Sequence, residues 1–205
     1  MGYMSPNLYE RVVEQLPKGT EVDFHKDGEP LLHPKIDSFI QTAKNYGFFT
    51  HIVTNGILLN KWKERIVDSG LDLLTVSLID DIPHRSINQF MEYKGDRKPL
   101  TQLKCYQDYG AYPLHDKIIL RELHNWTDDD ERKARKPCPK LLNYCAVNWD
   151  GGFAICCVDY KREMVPFNLN DTPLEKGLEF NKKLYEQQEE GTFLPPCTHC
   201  NYFGG

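Results

Sequence analysis

The 205-residue chain lacks a long apolar run, a leader-like N-terminus and an excess of basic charge. No run approaches the ~18 apolar residues that a membrane-spanning helix needs. Residues 1–6 have neither the basic nor the apolar region of a secretory signal peptide. The 25 Lys and Arg residues are outnumbered by 30 Asp and Glu residues, which gives a net charge of -5. Because nucleic acids and anionic membranes are bound through clustered basic charge, we expect no nucleic-acid partner and no membrane partner.

Cysteine is the residue type that is distributed most unevenly. The chain has seven cysteines, and six of them follow residue 137. An odd number of cysteines without a secretion signal disfavours a disulfide framework and predicts a reducing compartment, the cytoplasm. Their concentration in the last third of the chain predicts a metal or cluster site there.

The hydrophobic pattern of the first 124 residues alternates between strands and helices. Apolar stripes predict helices at 5–16, 34–46, 61–69 and near 83–93. Alternating or apolar runs predict strands at 20–25, 48–53 and 71–79, with weaker ones at 102–106 and 117–123. This order is typical of βα units on a parallel sheet, and therefore of an α/β fold.

Three segments follow the stronger strands directly. They are Gly28-Glu29-Pro30, Thr54-Asn55-Gly56 and residues 77–81. Because ligands of parallel sheets bind beyond the carboxyl ends of the strands, we expect these segments to share one ligand-binding edge.

A polar, charged segment at 125–137 predicts a linker between a domain of residues 1–124 and a domain of residues 138–205. In the second domain, strands at 144–149 and 153–160 flank the turn signal Asp150-Gly151-Gly152 and predict a hairpin. A helix from 171 to about 190 follows it.

Four cysteines have the spacing of a metal site. Cys197 and Cys200 form a CxxC knuckle, which points two sulfur atoms at one centre, and Cys138 and Cys156 complete the set. A four-cysteine zinc site and a [4Fe–4S] cluster both fit this donor set. The remaining interpretation is four buried, unligated thiols.

Two further cysteines leave the ligand set open. Cys156 and Cys157 are neighbours in the predicted strand, so their side chains face opposite ways and only one of them ligates easily. Cys145 pairs with Cys156 across a two-residue turn or with Cys157 across a three-residue turn. In the first case Cys145 lies beside the metal.

The ordered motifs resemble the radical S-adenosylmethionine (SAM) superfamily. The segments 27–30, 54–56 and 75–80 resemble successive strand ends of its barrel. The tail, from Cys138 through 148–151 and 156–159 to Cys200, resembles the C-terminal SPASM or twitch extension, which holds auxiliary iron–sulfur clusters in that family. The single-cluster form of aminocyclitol dehydrogenases has the most similar spacing. The resemblance implies a partial (β/α) barrel with a mostly parallel sheet, followed by a small hairpin-plus-helix domain.

The resemblance also implies a role for each motif. The backbone of Gly28-Glu29-Pro30 would meet the amino group of SAM, and Asn55 and Ser77 would lie near its ribose or carboxylate. Glycine permits such an approach of the backbone, and short polar side chains suit a polar ligand. The four cysteines Cys138, Cys156, Cys197 and Cys200 would hold one auxiliary [4Fe–4S] cluster, with zinc as the alternative metal.

One element of the family is absent from these 205 residues. The CxxxCxxC triplet that holds the catalytic cluster does not occur. We therefore expect no SAM cleavage by this chain alone, and activity only if an upstream segment or a partner chain supplies the triplet. The completed protein would then use a deoxyadenosyl radical to oxidise or modify a peptide or small-molecule substrate. The alternative is a non-catalytic iron–sulfur or zinc scaffold module derived from the family.

Overall fold

The computed structural model describes residues 2–78, 84–105, 117–120, 136–157 and 159–200. Contacts divide the chain into two units, which we call the sheet unit (Leu16–Leu123) and the cysteine unit (Met1–Gln15 with His124–Gly205). This grouping differs at its N-terminal end from the predicted domain of residues 1–124. Most of the predicted linker, residues 125–135, lies outside the described residues, so its boundaries stay a prediction.

Helix α1 (Pro6–Val13) belongs to the cysteine unit because its polar side chains bind the C-terminal part of the chain. The Arg11 guanidinium donates to the Asn170 carbonyl at 2.7 Å. The Gln15 side-chain oxygen, just beyond the helix, accepts from the Leu174 amide at 2.8 Å. Ser5 caps the helix by accepting from the Leu8 amide, as the sequence Ser5-Pro6 indicates.

The sheet unit contains a five-stranded parallel sheet whose strands follow one another in chain order. The strands are β1 (Glu21–Asp23), β2 (Phe49–Thr54), β3 (Leu73–Leu78), β4 (Leu100–Cys105) and β5 (Lys117–Leu120). The helices between them are α2 (Ile36–Asn45), α3 (Leu59–Asp68) and α4 (His84–Lys94). The predicted βα alternation and parallel sheet are confirmed.

One face of this sheet packs against the three helices. Ile52, Leu74, Val76 and Leu103 are fully buried there among apolar side chains of α2, α3 and α4. Successive side chains of a strand point to opposite faces. The strand residues between these apolar positions therefore lie on the other face.

Asp72, immediately before β3, connects neighbouring segments at the amino end of the sheet through hydrogen bonds and ion pairs. Its Oδ2 accepts from the Lys44 ammonium at 2.5 Å and from the Thr50 amide at 3.0 Å, and its Oδ1 lies 2.7 Å from the Lys98 ammonium. Burial by itself would raise the pKa of Asp72, but these bonds outweigh it and lower that pKa to about 2.

The cysteine unit contains a small antiparallel sheet followed by a long helix. Its strands are β6 (Ala146–Val147), β7 (Gly152–Ala154) and β8 (Phe167–Asn168), and its helices besides α1 are α5 (Lys140–Asn143) and α6 (Leu174–Glu189). The hairpin and the final helix agree with the sequence pattern. β8 and α5 are too short to give a periodic signal.

The hairpin corrects two sequence-based expectations. β7 ends at Ala154 rather than near Tyr160, so Cys156 and Cys157 follow the strand and strand alternation does not separate them. The register pairs Ala146 with Ala154, and the Asn148 amide donates to the Gly152 carbonyl. Continuing this register places Cys145 opposite Ile155, so it pairs with neither Cys156 nor Cys157. The hairpin loop is Trp149-Asp150-Gly151, so it contains the Asp-Gly signal but begins one residue before the predicted turn at 150–152.

Among the helices of the described segments, none is both long enough and apolar enough to cross a bilayer.

Candidate functional site

The carboxyl ends of β1 and β2 are joined by the side chain of Glu29. Its Oε1 accepts from the Thr54 hydroxyl at 2.7 Å and from the Leu31 amide at 3.0 Å. Its Oε2 accepts from the Asn55 amide at 2.8 Å. The carboxylate is therefore engaged within the protein, and what this loop offers to a ligand is backbone.

Two glycines shape this edge. Gly28 has φ +104° and Gly56 has φ +77°, and both values lie in the region that favours glycine. A Cβ atom on Gly56 would lie 2.9 Å from Cγ1 of Val76, whereas one on Gly28 would meet no atom of the described residues within 4 Å. Gly28 therefore leaves the backbone of its exposed loop open to approach by a ligand.

The other two residues predicted for cofactor binding reach the same level of the sheet. Thr54 pairs with Val76, so Asn55 and Ser77 follow at equivalent positions of neighbouring chain segments. The Asn55 side-chain oxygen accepts from the Ile57 amide at 3.0 Å, which fixes the turn into α3. Pro30 is buried and begins a single 3-10 turn, Pro30–Leu32. The structure thus gathers all five residues at the ends of β1, β2 and β3, while Ile79–Asp81 lie outside the described residues.

Three of the four predicted metal-binding cysteines pack on one apolar cluster of the cysteine unit. Cys138, Cys156 and Cys197 lie against the buried side chains of Leu141, Ile155 and Leu184. These residues come from α5, the end of the hairpin and α6. The cysteine positions therefore converge although they are far apart in the sequence.

Gln188, on α6, holds two of these cysteines. It is buried, its Oε1 accepts from the Cys138 amide at 2.8 Å, and it also hydrogen-bonds the Cys197 side chain. The sequence analysis did not single out this glutamine. The available signal was its helical spacing, since Gln188 follows Leu184 by four residues and so lies on the face that α6 buries.

The pKa values of the cysteine thiols bear on whether these residues fit a positively charged metal centre. Burial, together with repulsion from the neighbouring Cys200 and Cys138 thiolates, raises the pKa of Cys197 to about 11. Half-buried thiols that oppose one another's ionisation become thiolates together when a cation lies between them. The donor set therefore fits a zinc ion or an iron–sulfur cluster, both of which bind thiolates.

The two remaining cysteines of this unit have different surroundings. A hydrogen bond from Cys156 lowers the pKa of Cys157, burial opposes this, and the Lys140 ammonium and Tyr144 lower it further. Burial raises the pKa of Cys145 to about 11. Neither thiol packs on the cluster that Cys138, Cys156 and Cys197 contact.

The sequence analysis missed a polar row on the second face of the parallel sheet. His51 Nδ1 lies 2.7 Å from Asp23 Oδ1, and His51 Nε2 lies 2.8 Å from Thr75 Oγ1. Gln102 donates to the same Thr75 oxygen at 2.7 Å. The available signal was the alternation through β1 and the two residues after it, where Asp23 and His25 are interleaved with Val22 and Phe24.

Comparisons with known proteins find relatives among S-adenosylmethionine-dependent enzymes. No protein-family model matches the chain. The chain is 25% identical to the S-adenosyl-L-methionine-dependent 2-deoxy-scyllo-inosamine dehydrogenase of Niallia circulans, over 98% of this chain and 81% of that protein. It is also 38% identical to the GTP 3′,8-cyclase of Chlorobaculum tepidum, but over only 37% of this chain and 24% of that protein.

Two solved structures share the fold. The structure of BtrN in complex with AdoMet and 2-DOIA superposes with a TM-score of 0.69 at 22% identity, over 98% of this chain and 81% of that chain. BtrN in an open conformation gives a TM-score of 0.64 over the same shares. Together the relatives support the resemblance to the radical SAM superfamily, and the structures support a partial barrel fold of that kind.

Proposed function

We propose that this chain is an iron–sulfur protein of the radical SAM type that binds SAM at the carboxyl edge of its parallel sheet. One observation carries the proposal. The match to a SAM-dependent dehydrogenase covers 98% of the chain, and therefore includes both the strand-end motifs and the cysteine tail.

The strand-end geometry supports a SAM site. Glu29 ties the first strand-end loop to the second one, which leaves the exposed backbone at Gly28 free to meet an amino group. Asn55 and Ser77 stand at equivalent levels of the sheet and supply short polar side chains for a ribose or a carboxylate.

The convergence of cysteines supports one auxiliary [4Fe–4S] cluster, held by Cys138, Cys156, Cys197 and Cys200. Such a cluster supplies one-electron transfer. Gln188 orients two of the ligand-bearing segments, and the apolar side chains of Leu141, Ile155 and Leu184 exclude water from one side of the site. Zinc remains the alternative occupant of the same four thiols.

The dehydrogenase relative favours oxidation of a small hydroxylated molecule as the overall reaction. This chain would contribute SAM binding and electron transfer, and a segment with CxxxCxxC, supplied in cis or by a partner chain, would contribute the site of SAM cleavage. The 205 residues alone, reduced and given SAM, should release no 5′-deoxyadenosine above background. Steady, protein-dependent release of 5′-deoxyadenosine would contradict the proposal that a separate CxxxCxxC segment supplies the site of SAM cleavage.

The experiment for the cluster is anaerobic reconstitution followed by iron and sulfide analysis. The protein should carry about four irons and four sulfides per chain, as a cubane requires. Cys197→Ala should lose them. Cys105→Ala, in β4 of the sheet unit, should keep them and serves as the matched control. A colourless protein that holds one zinc ion would contradict the cluster and favour the zinc alternative.

The experiment for SAM is a calorimetric titration of the same protein. Without the cleavage cluster we expect weak binding that Ser77→Ala weakens further. Tight binding that is unchanged by Ser77→Ala would show that SAM binds elsewhere.

A non-catalytic scaffold module is the second candidate, because CxxxCxxC is missing from the 205 residues. If a segment carrying the triplet restores no deoxyadenosine formation although the cluster is present, the scaffold interpretation is favoured.

A further inference from the structure

Three side chains of the sheet unit combine the donor types that transition metals prefer. Asp23, His25 and His51 each place one ligand atom within 4.8 Å of the other two. They come from the end of β1 and from β2, which are paired in register at Asp23 and His51. The Phe24 amide donates to the His51 carbonyl at 2.9 Å, so the chain stays beside β2 as it passes to His25. The cluster is therefore built on paired backbone.

His25 provides an independent sign of a missing partner. Its Nδ1 atom is buried, and among the described residues it has no hydrogen-bond partner. A buried polar atom without a partner is costly and rare in folded proteins. Burial lowers the pKa of His25, and although Asp23 opposes this, His51 and Lys104 lower it further. The neutral imidazole has a free lone pair, which is the form that binds metal.

His51 already has the support that a metal-binding histidine needs. If Nδ1 binds an ion, Nε2 carries the proton and can donate to Thr75 Oγ1, 2.8 Å away. Gln102 in turn fixes the Thr75 hydroxyl at 2.7 Å. Metal-bound histidines nearly always donate their second ring N–H to such a partner, which fixes the ring orientation.

We propose that Asp23, His25 and His51 bind a divalent transition-metal ion of the zinc class. Two imidazoles and one carboxylate suit zinc and its neighbours in the first transition row, whereas magnesium and calcium prefer sites made only of oxygen. The ion would replace the proton that His51 and Asp23 share across 2.7 Å. Ligand atoms of tetrahedral zinc lie roughly 3.3 Å apart, so these two side chains separate by about half an ångström.

The site is separate from the residues of the proposed function. None of the three side chains is among the residues proposed to meet SAM: His51 lies in β2 four residues before Asn55, which is about 13 Å of extended chain, and His25 precedes Gly28 by three residues. None of the six cysteines of the cysteine unit contributes to it. The proposal therefore stands or falls independently of SAM and of the cluster.

The first test is the zinc stoichiometry of the full chain, measured after equilibration and desalting. Wild type should retain one zinc ion more than His25→Gln or His51→Gln, because any zinc held by cysteines is common to all three proteins. His33→Gln is the matched control, since His33 lies in the sheet unit outside the cluster and accepts a hydrogen bond from the Lys35 amide. Thr75→Val should lower the affinity for this zinc ion by about 10-fold, because His51 Nε2 loses its hydrogen bond to the Thr75 hydroxyl.

The second test needs no variant. Imidazole NMR signals of His25 and His51 in the wild-type chain should shift on addition of zinc and broaden on addition of Co²⁺, while those of His33 stay unchanged. Equal zinc content in wild type, His25→Gln and His51→Gln would overturn the proposal. Unperturbed His25 and His51 signals at saturating zinc would overturn it as well, even if the variants fail to fold.

Discussion

Replacing Glu29 by Gln tests the link between the first two strand ends with almost no change of shape. Glu29 accepts three hydrogen bonds, from the Leu31 amide, the Thr54 hydroxyl and the Asn55 amide. A glutamine has one acceptor oxygen, so its NH2 group must face a donor in either orientation. The better orientation keeps the first two bonds and sets the NH2 group against the Asn55 N–H.

The cost follows from the bond that is lost. Hydrogen bonds to charged groups contribute about 1.5–3 kcal/mol, and an unsatisfied donor costs a similar amount when it is buried. This loop is only partly buried, so the lower part of that range applies. We expect Glu29→Gln to lower the free energy of local opening of the loop by about 2 kcal/mol. A local opening that becomes easier by this amount accelerates amide exchange about 30-fold, since every 1.4 kcal/mol is a factor of ten.

The assay is hydrogen–deuterium exchange of the full chain at the Leu31 and Asn55 amides, at neutral pH. Glu29→Gln should accelerate exchange at Asn55 most strongly and should weaken SAM binding in the same preparation. Asp27→Asn is the matched control because the Asp27 carboxylate is exposed and bonds the adjacent Lys26 ammonium at 2.6 Å. An asparagine keeps a side-chain oxygen that can accept from the Lys26 ammonium, and it leaves the three hydrogen bonds of Glu29 intact, so this variant should exchange like wild type at Leu31 and Asn55. An Asn55 amide that exchanges equally in Glu29→Gln and wild type would refute the reasoning.

Three further predictions concern stability and the cysteine site. Asp72→Asn should lower the free energy of unfolding by about 2 kcal/mol at pH 7, because the pKa of Asp72 falls from 3.8 to about 2 on folding. Since the folded pKa is the lower one, this contribution is complete above about pH 4 and is lost as the pH falls towards 2. The unfolding free energies of wild type and Asp72→Asn, measured by urea titration, should therefore converge near pH 2. An equal difference between the two proteins at pH 7 and pH 2 would contradict the assignment. Cys156→Ser should lose iron and Cys157→Ser should retain it on reconstitution, and the opposite result would show that the ligand is the next residue. Gly177→Ala should destabilise the cysteine unit by about 1–3 kcal/mol despite the helix preference for alanine, because its Cβ would lie 2.5 Å from the buried Phe153 ring; a raised melting temperature would argue against this packing.

The sequence by itself determined the parallel sheet and which segments follow its strands at the carboxyl edge. Apolar runs such as 71–79 and amphipathic stretches such as 34–46 have periods that only a strand or a helix satisfies, and each is local to a few residues. β3 and α2 therefore appear close to where the pattern predicts them. Their strict alternation with short connections then leaves a parallel sheet, whose strands all end at the same edge.

The tertiary structure decided which distant side chains meet. The pairing of Asp23 with His51 depends on the register of two strands 28 residues apart, and a slip by one residue would send every side chain to the opposite face. The surroundings of Cys145 and Cys156 depend in the same way on a hairpin turn that closes between Asn148 and Gly152, one residue earlier than the predicted turn at 150–152. Local patterns fix the period of an element, whereas register is fixed only when the side chains of both partners pack together. The order of the motifs along the chain was therefore readable from the sequence, and the contacts between them were not.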